Sequence, residues 1–178
     1  MIVGHPCVYI ERDRLAQRIL KARMRDGSIP RAAICKDVRT FRPKLRGLLV
    51  DLVVGGFPCQ SISSCGKRDG LKRQSFLFYE MVRIAVEAES TWIFIENVFN
   101  LLACGMSEVL RHLASSGYAC RWVVCRAQHF RLPHARRRVF LLGKRTVPFR
   151  VRLPGGVDAP GGVPGPPGGG ASLWAPCL

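Results

Sequence analysis

The chain has 178 residues, room for one domain and one core, and 48% of them are hydrophobic. It has no run of about 18 apolar residues, the length a membrane-spanning helix needs, and Met1 to Ile10 lack the charged start and long apolar stretch of a secretory signal. Lysine and arginine number 28 against 12 acids, a formal charge of +16; this favours a polyanionic partner, nucleic acid foremost, although abundant Arg, Gly, Ala and Pro also fit a GC-rich coding sequence.

In chain order, Val3 to Ile10 reads as a short strand. Arg14 to Arg25 has a helical pattern with Leu15, Ile19 and Ala22 on one face. Cys35 to Phe41 is short and fits a strand end. Leu48 to Val54 is apolar around a single Asp51, as a buried parallel strand is, and it runs into the turn-rich Gly55-Gly56-Phe57-Pro58. Ser75 to Ala88 is helical, with Leu77, Met81, Ile84 and Ala88 at helix spacing. Trp92 to Ile95 reads as a buried strand, and Met106 to Ser115 as a helix stopped by Gly117. Tyr118 to Arg126 and Arg138 to Leu142 read as further strands. Strands alternating with helices imply an α/β protein with a mostly parallel sheet and its active residues at the carboxyl ends of strands. The domain is expected over residues 1–152. From Leu153 to Leu178 the Gly/Pro-rich composition cannot build a core and reads as a disordered tail, or as a coding artefact.

The eight cysteines are Cys7, Cys35, Cys59, Cys65, Cys104, Cys120, Cys125 and Cys177. None forms a C-x-x-C pair, and the four histidines complete no zinc-ligand spacing, so no metal site is expected. Reduced thiols in an intracellular compartment are the better reading. That compartment is the nucleus in a eukaryote and the cytoplasm otherwise.

Three short segments carry chemistry. In Gly55-Gly56-Phe57-Pro58-Cys59-Gln60-Ser61 a thiol follows an apolar strand and a glycine turn. Glycines permit close backbone approach, and a deprotonated cysteine is the strongest side-chain nucleophile near neutral pH. A loop cysteine of no consequence is the plain alternative. Glu96-Asn97-Val98 closes the Trp92 to Ile95 strand; a carboxyl group desolvated there should have a raised pKa and hold or donate a proton. A solvated acid closing a strand is the plain alternative. In Pro133-His134-Ala135-Arg136-Arg137-Arg138, alternate residues of an extended segment share a face, so Arg136 and Arg138 can point together at a phosphate, carboxylate or carbonyl oxygen. A basic surface turn is the alternative.

Taken in order, GGFPCQS after one strand, ENV after the next and PHxRxR before another resemble the C5-cytosine DNA methyltransferase family. Gly66-Lys67, Gly70 and Leu77-Phe78 also resemble its pattern, and the resemblance runs from about Tyr9 to Gly143. It implies a partial Rossmann-like S-adenosylmethionine-dependent methyltransferase fold. It implies that the Cys59 thiolate adds to C6 of a cytosine flipped out of duplex DNA, making C5 nucleophilic toward the methyl group of S-adenosylmethionine. Glu96 would protonate or hydrogen-bond N3, Arg138 would contact O2 and brace Glu96, and Arg136 would support the Cys59 loop or a phosphate. Asn97 would help fix the loop, and Phe57, Gln60, Ser61 and Asn97 fall in the substrate-binding set. For the cofactor, Glu11 stands where the family holds the ribose, Asp37 where an acid accepts from the adenine amine, and Pro58 and Leu77 where the pocket is lined. Arg12 stands where many relatives place an aromatic against the adenine.

The chain departs from the family in lacking the first strand with its F-x-G-x-G loop and the region that reads DNA bases, and in carrying His134 where glutamine is usual. A complementary segment or subunit and weak activity of the isolated chain are therefore expected. A tRNA methyltransferase of the same superfamily, which usually carries Pro-Pro-Cys, and a non-catalytic nucleic-acid-binding remnant are the competing readings.

Overall fold

A computed structural model of the chain describes residues 7–58 and 77–146, together with the backbone of 76, 151–152 and 158–159. Three-residue strands β1 (Val8–Ile10) and β2 (Ala33–Cys35) pair in parallel, with Tyr9 opposite Ile34. Between them runs helix α1 (Arg14–Arg25), started by the Asp13 carboxylate, which accepts from the Ala16 backbone N–H at 2.7 Å. Its half-buried positions are Ala16, Gln17, Leu20, Ala22 and Met24, whereas Leu15 and Ile19, on the expected apolar face, are 57% and 53% exposed.

Strand β3 (Leu52–Gly55) and helix α2 (Phe76–Glu87) lead to β4 (Trp92–Val98), and the short α3 (Leu101–Cys104) to α4 (Met106–Ser115). Gly117, at φ 85°, turns the chain out of α4 in a conformation that other residues rarely adopt. Strands β5 (Tyr118–Arg126) and β6 (Arg137–Arg145) follow. The two-residue strands β7 (Val151–Arg152) and β8 (Asp158–Ala159) pair antiparallel at the start of the Gly/Pro-rich segment; residues 160–178 lie outside the described part.

The main sheet has the order β3-β4-β6-β5. It is mixed. β3 and β4 run parallel, as the strand–helix alternation predicts, but β6 enters antiparallel between β4 and β5. The parallel character expected of the sheet is thus confined to the β1–β2 and β3–β4 pairs. Alternation along β4 sets the layers: Ile93, Ile95 and Asn97 are buried, while Trp92, Phe94, Glu96 and Val98 between them are half-exposed. Ile93 and Ile95 join Val139 and Leu141 of β6 in one core cluster with Phe78 and Val82 of α2 and Val109 and Leu113 of α4. On the other face Phe94 stacks on Phe140 at 5.9 Å between ring centroids.

The β1–α1–β2 unit is joined to α2 by one arginine. Arg83 pairs with Glu80 at 2.7 Å and Glu87 at 2.8 Å, and its Nη2 donates to the carbonyls of Val38 (3.0 Å) and Phe41 (2.9 Å). Among the described residues β1 is bonded only to β2 and β3 only to β4, so each strand has one edge without a partner strand.

Candidate active site

The strand β3 delivers Gly56 and Phe57 to the end of β4. Phe57 is buried, its ring 5.1 Å from that of Phe78. Its carbonyl accepts from Asn97 Nδ2 at 3.2 Å, while Asn97 Oδ1 accepts from the Val98 N–H at 2.8 Å. Both ends of the buried Asn97 amide are therefore satisfied by backbone. Asn97 faces the helices, away from Glu96, because successive residues of a strand point to opposite faces. Its contact is with the loop backbone, as expected for loop fixing; of the substrate-binding expectation the structure shows only this burial.

Glu96 projects from the opposite face of β4. Its carboxylate meets Arg138 of β6, with Oε1 2.6 Å from Nε. Register explains the meeting: Val98 is opposite Arg138 and Glu96 opposite Phe140, so the two side chains are diagonal neighbours on one face. The Glu96 side chain is 42% exposed and that of Arg138 27%. The side chain is not buried as expected for this acid, which lies within the strand rather than beyond its end. The pair is a charge-assisted hydrogen bond at a half-open surface.

Gly56 lies against the same carboxylate. A Cβ placed there would fall 2.8 Å from the Glu96 carbonyl oxygen and 3.2 Å from Oε2. Any side chain at Gly56 would collide with β4 backbone, so only glycine lets the chain pass this close. The glycine pair suggests close approach to a ligand; what it approaches here is Glu96 itself, a contact with no signal in the linear sequence. Gly56 precedes Cys59 by three residues. Cys59, Gln60 and Ser61 lie outside the described residues. Pro58 is exposed, and Leu77 is half-buried and packs on the core cluster.

Arg136 precedes β6 and is exposed; its carbonyl accepts from the Ala127 N–H at 2.9 Å, and its N–H reaches His134 Nδ1 at 3.4 Å. Arg136 and Arg138 are thus not held as a pair. The intervening Arg137 lays its guanidinium 3.8 Å from the centroid of the Phe99 ring, a contact hidden in the sequence because Phe99 reads as a linker residue.

At the other sheet, Glu11 follows β1. One carboxylate oxygen accepts from the Asp13 N–H at 2.7 Å; among the described residues the other has no hydrogen-bond partner, so it retains capacity for a ligand hydroxyl. Asp37 follows β2 and is engaged differently. Arg39 grips it in a bidentate fork, Nε to Oδ1 at 3.0 Å and Nη2 to Oδ2 at 2.6 Å, and its backbone N–H donates to Oδ1 at 2.9 Å. These bonds lower the Asp37 pKa from its usual 3.8 to about 2, with the charges of Arg39 and Arg12 helping. The residues therefore fit the ribose end of an S-adenosylmethionine molecule at Glu11, while the acceptor at Asp37 is already occupied by Arg39.

The α/β architecture is that of the S-adenosylmethionine-dependent methyltransferases. Solved structures with the same fold include S. pombe Dnmt2 methyltransferase, at a TM-score of 0.61 and 21% identity over 85% of this chain and 46% of that one. Another is a Spodoptera frugiperda DNMT2 variant, at a TM-score of 0.62 and 18% identity, with 85% of this chain and 46% of that one covered. At the level of sequence, residues 2–150 match the C-5 cytosine-specific DNA methylase family, and the chain belongs to it. Among curated relatives, Type II methyltransferase M.CviJI of Paramecium bursaria Chlorella virus IL3A is 32% identical over 145 residues, 80% of this chain and 38% of the relative. Type II methyltransferase M.MspI of a Moraxella species is 34% identical over 98 residues, 52% of this chain and 23% of the relative. The chain thus spans 38% of the first relative's length and 23% of the second's.

Proposed function

We propose that this chain carries the base-activating part of a DNA cytosine-5 methyltransferase. The observation that supports this most is the Glu96–Arg138 pair at 2.6 Å with Gly56, three residues before Cys59, pressed against the same carboxylate. That arrangement brings the root of the Cys59 loop to an acid and a guanidinium on one face.

In this reading a target cytosine is turned out of the duplex, since C5 and C6 are inaccessible within the stack. The Cys59 thiolate adds to C6; the electron pair of the C5–C6 double bond shifts to C5, shared through C4 with N3, and makes C5 nucleophilic. Glu96 protonates or hydrogen-bonds N3, and Arg138 donates to O2, so both drain the charge that the thiolate brings. S-adenosylmethionine, when bound, supplies the methyl group; Glu11 would hold its ribose hydroxyls. Loss of the C5 proton to a base then releases the Cys59 thiolate and restores the ring. Asn97, by fixing the Phe57 carbonyl, acts as a positioning residue for the loop. Gln60 and Ser61 would contact the substrate, and Arg136 would support the Cys59 loop or a phosphate.

A complementing segment, from this polypeptide or another, also belongs to the reading. The edges of β1 and β3 that meet no strand among the described residues would each accept a parallel strand, and a relative's greater length has room for one. Turnover by the isolated chain is accordingly expected to be weak.

A trap accumulates product even when turnover is slow. Duplex DNA containing 5-fluorocytosine, incubated with the chain and S-adenosylmethionine, is expected to form a covalent adduct mapping to Cys59 and absent from Cys59→Ser. No adduct, or one that survives the substitution, overturns the proposal. A tRNA carrying the same analogue, if it alone reacts, assigns the chemistry to RNA instead.

A further inference from the structure

Strands β4 and β6 pair over seven rungs, from Trp92 opposite Lys144 to Val98 opposite Arg138. The Glu96–Arg138 ion pair straddles the end of this ladder: Arg138 is the last partner on β6, and Glu96 stands two residues before the end of β4. The end of a ladder is where a sheet opens first. The backbone bonds joining β4 to β6 thus run out at the two residues that most need a fixed separation. An acid and a guanidinium that serve one ring must hold their places to about 0.5 Å.

Phe99 and Arg137 stand one step past the last rung. Continued register would set them opposite one another, and their side chains meet where the β4–β6 ladder has ended: the Arg137 guanidinium lies 3.8 Å from the centroid of the Phe99 ring. At the first rung Lys144 lies over Trp92, 5.5 Å from the ring centroid. The two strands are therefore closed at each end by a cation on an aromatic face, and the closer contact is at the end that carries Glu96 and Arg138.

Arg137 has a second hold on the ion pair. Its carbonyl accepts from Arg138 Nη1 at 3.0 Å, while Arg138 Nε meets Glu96 Oε1 at 2.6 Å. The Arg138 guanidinium is held at two points, and one of them is the backbone of the residue whose side chain grips Phe99. Charge balance does not account for Arg137. It stands opposite Arg126 in the β5–β6 ladder, a like-charge pair that opposes folding, and among the described residues no carboxylate pairs with it.

We infer that Arg137 and Phe99 are positioning residues for the cytosine chemistry proposed for this chain. Their contact closes the end of the β4–β6 ladder and so sets the separation of Glu96 from Arg138. The consequence for catalysis rests on that proposed function; the ordering of the ion pair rests on the geometry alone. Neither residue touches the base in this role. A phosphate contact through Arg137 is the competing role. It would leave Phe99 without a part, whereas a staple needs both partners.

Two measurements on the 178-residue chain test the inference. The first needs neither DNA nor cofactor. It follows solvent exchange of the Arg138 Nε–H by NMR at low temperature, the signal being assigned by its loss in Arg138→Lys. Phe99→Leu and Arg137→Gln are each expected to speed that exchange about 2- to 5-fold, the range that an exposed cation–π contact supports. The double variant should go no further than either single one, as partners in one contact do. Phe99→Tyr, which keeps a ring face, should retain the parent rate. Lys144→Gln, which breaks the matching contact at the far end of the same strands, should leave the signal unchanged. The second measurement is the 5-fluorocytosine trap. Phe99→Leu and Arg137→Gln should each slow adduct formation at saturating duplex about 2- to 5-fold, with the half-saturating DNA concentration little altered. The inference is overturned if neither substitution moves the Arg138 signal, or if Lys144→Gln moves it as much, which marks general loosening of the sheet. It is also overturned if Arg137→Gln raises the half-saturating concentration while Phe99→Leu does nothing, which assigns Arg137 to a phosphate. Circular dichroism reports folding, and the exposed Arg137→Gln keeps the test intact if Phe99→Leu unfolds. If the parent chain forms no adduct, the proposed methyl transfer fails while the NMR measurement still decides the ordering of the pair, so the two failures are told apart.

Discussion

Asn97 is buried, and its hydrogen-bond capacity is spent on two backbone groups. Removing it leaves the Phe57 carbonyl and the Val98 N–H unpaired in a water-poor setting, a cost of about 1–3 kcal/mol. Asn97→Ala should lower the denaturant midpoint accordingly, and Asn97→Asp should not recover it, because a carboxylate cannot donate to the carbonyl. Asp37 gives the residue scale a pH dependence. Its pKa in the fold, about 2, lies below the ordinary 3.8. Its contribution is therefore fully present above 3.8 and is lost as the pH falls through about 2. A carboxyl-carbon NMR titration should find that low midpoint in the parent, and a midpoint nearer 3.8 in Arg39→Gln. The exposure of the pair makes this a local event, screened by salt, rather than a determinant of overall stability.

At the scale of elements, α2 and α4 cover a single face of the sheet. Leu113 and Val109 of α4 and Phe78 of α2 are fully buried there. Leu113→Ala should cost about 2–5 kcal/mol, read as a shift in the chemical denaturation midpoint with little change in its slope. The bounds of α1, α4 and β5 are legible in sequence because local physics sets them: Asp13 caps, Gly117 stops, and apolar residues recur at fixed spacing. β4 is longer than the run Trp92 to Ile95, since Glu96 and Asn97 end the apolar run but not the extended backbone. Whether Glu96 faces its partner depends on register with β6, which no local pattern encodes. Alternation reveals the face of a strand and not its neighbour, so the insertion of β6 between β4 and β5 is hidden, as is the mixed character of the sheet. The four-residue α3 is too short to show a period. The approach of Gly56 to Glu96 and the lock of Arg39 on Asp37 are hidden for the same reason: both depend on chain paths in space. By contrast, the pairing of Glu96 with Arg138 was legible from the order of motifs, through the resemblance they carry.

At the scale of the molecule, the β1–β2 pair and the main sheet each end on a strand bonded on one side. The amides of β3 pointing toward β4 are held in a ladder, and those pointing the other way meet no strand among the described residues. Hydrogen–deuterium exchange should therefore alternate along Leu52–Gly55, slow and fast at successive residues, with a uniform slow rate in the central β4. The same open edge sits beside Val54, which is 59% exposed. An apolar strand with spare donors and acceptors is a template for any extended chain it meets. In a concentrated solution such strands find one another, and the chain's shelf life will be set by how quickly a second polypeptide reaches that edge.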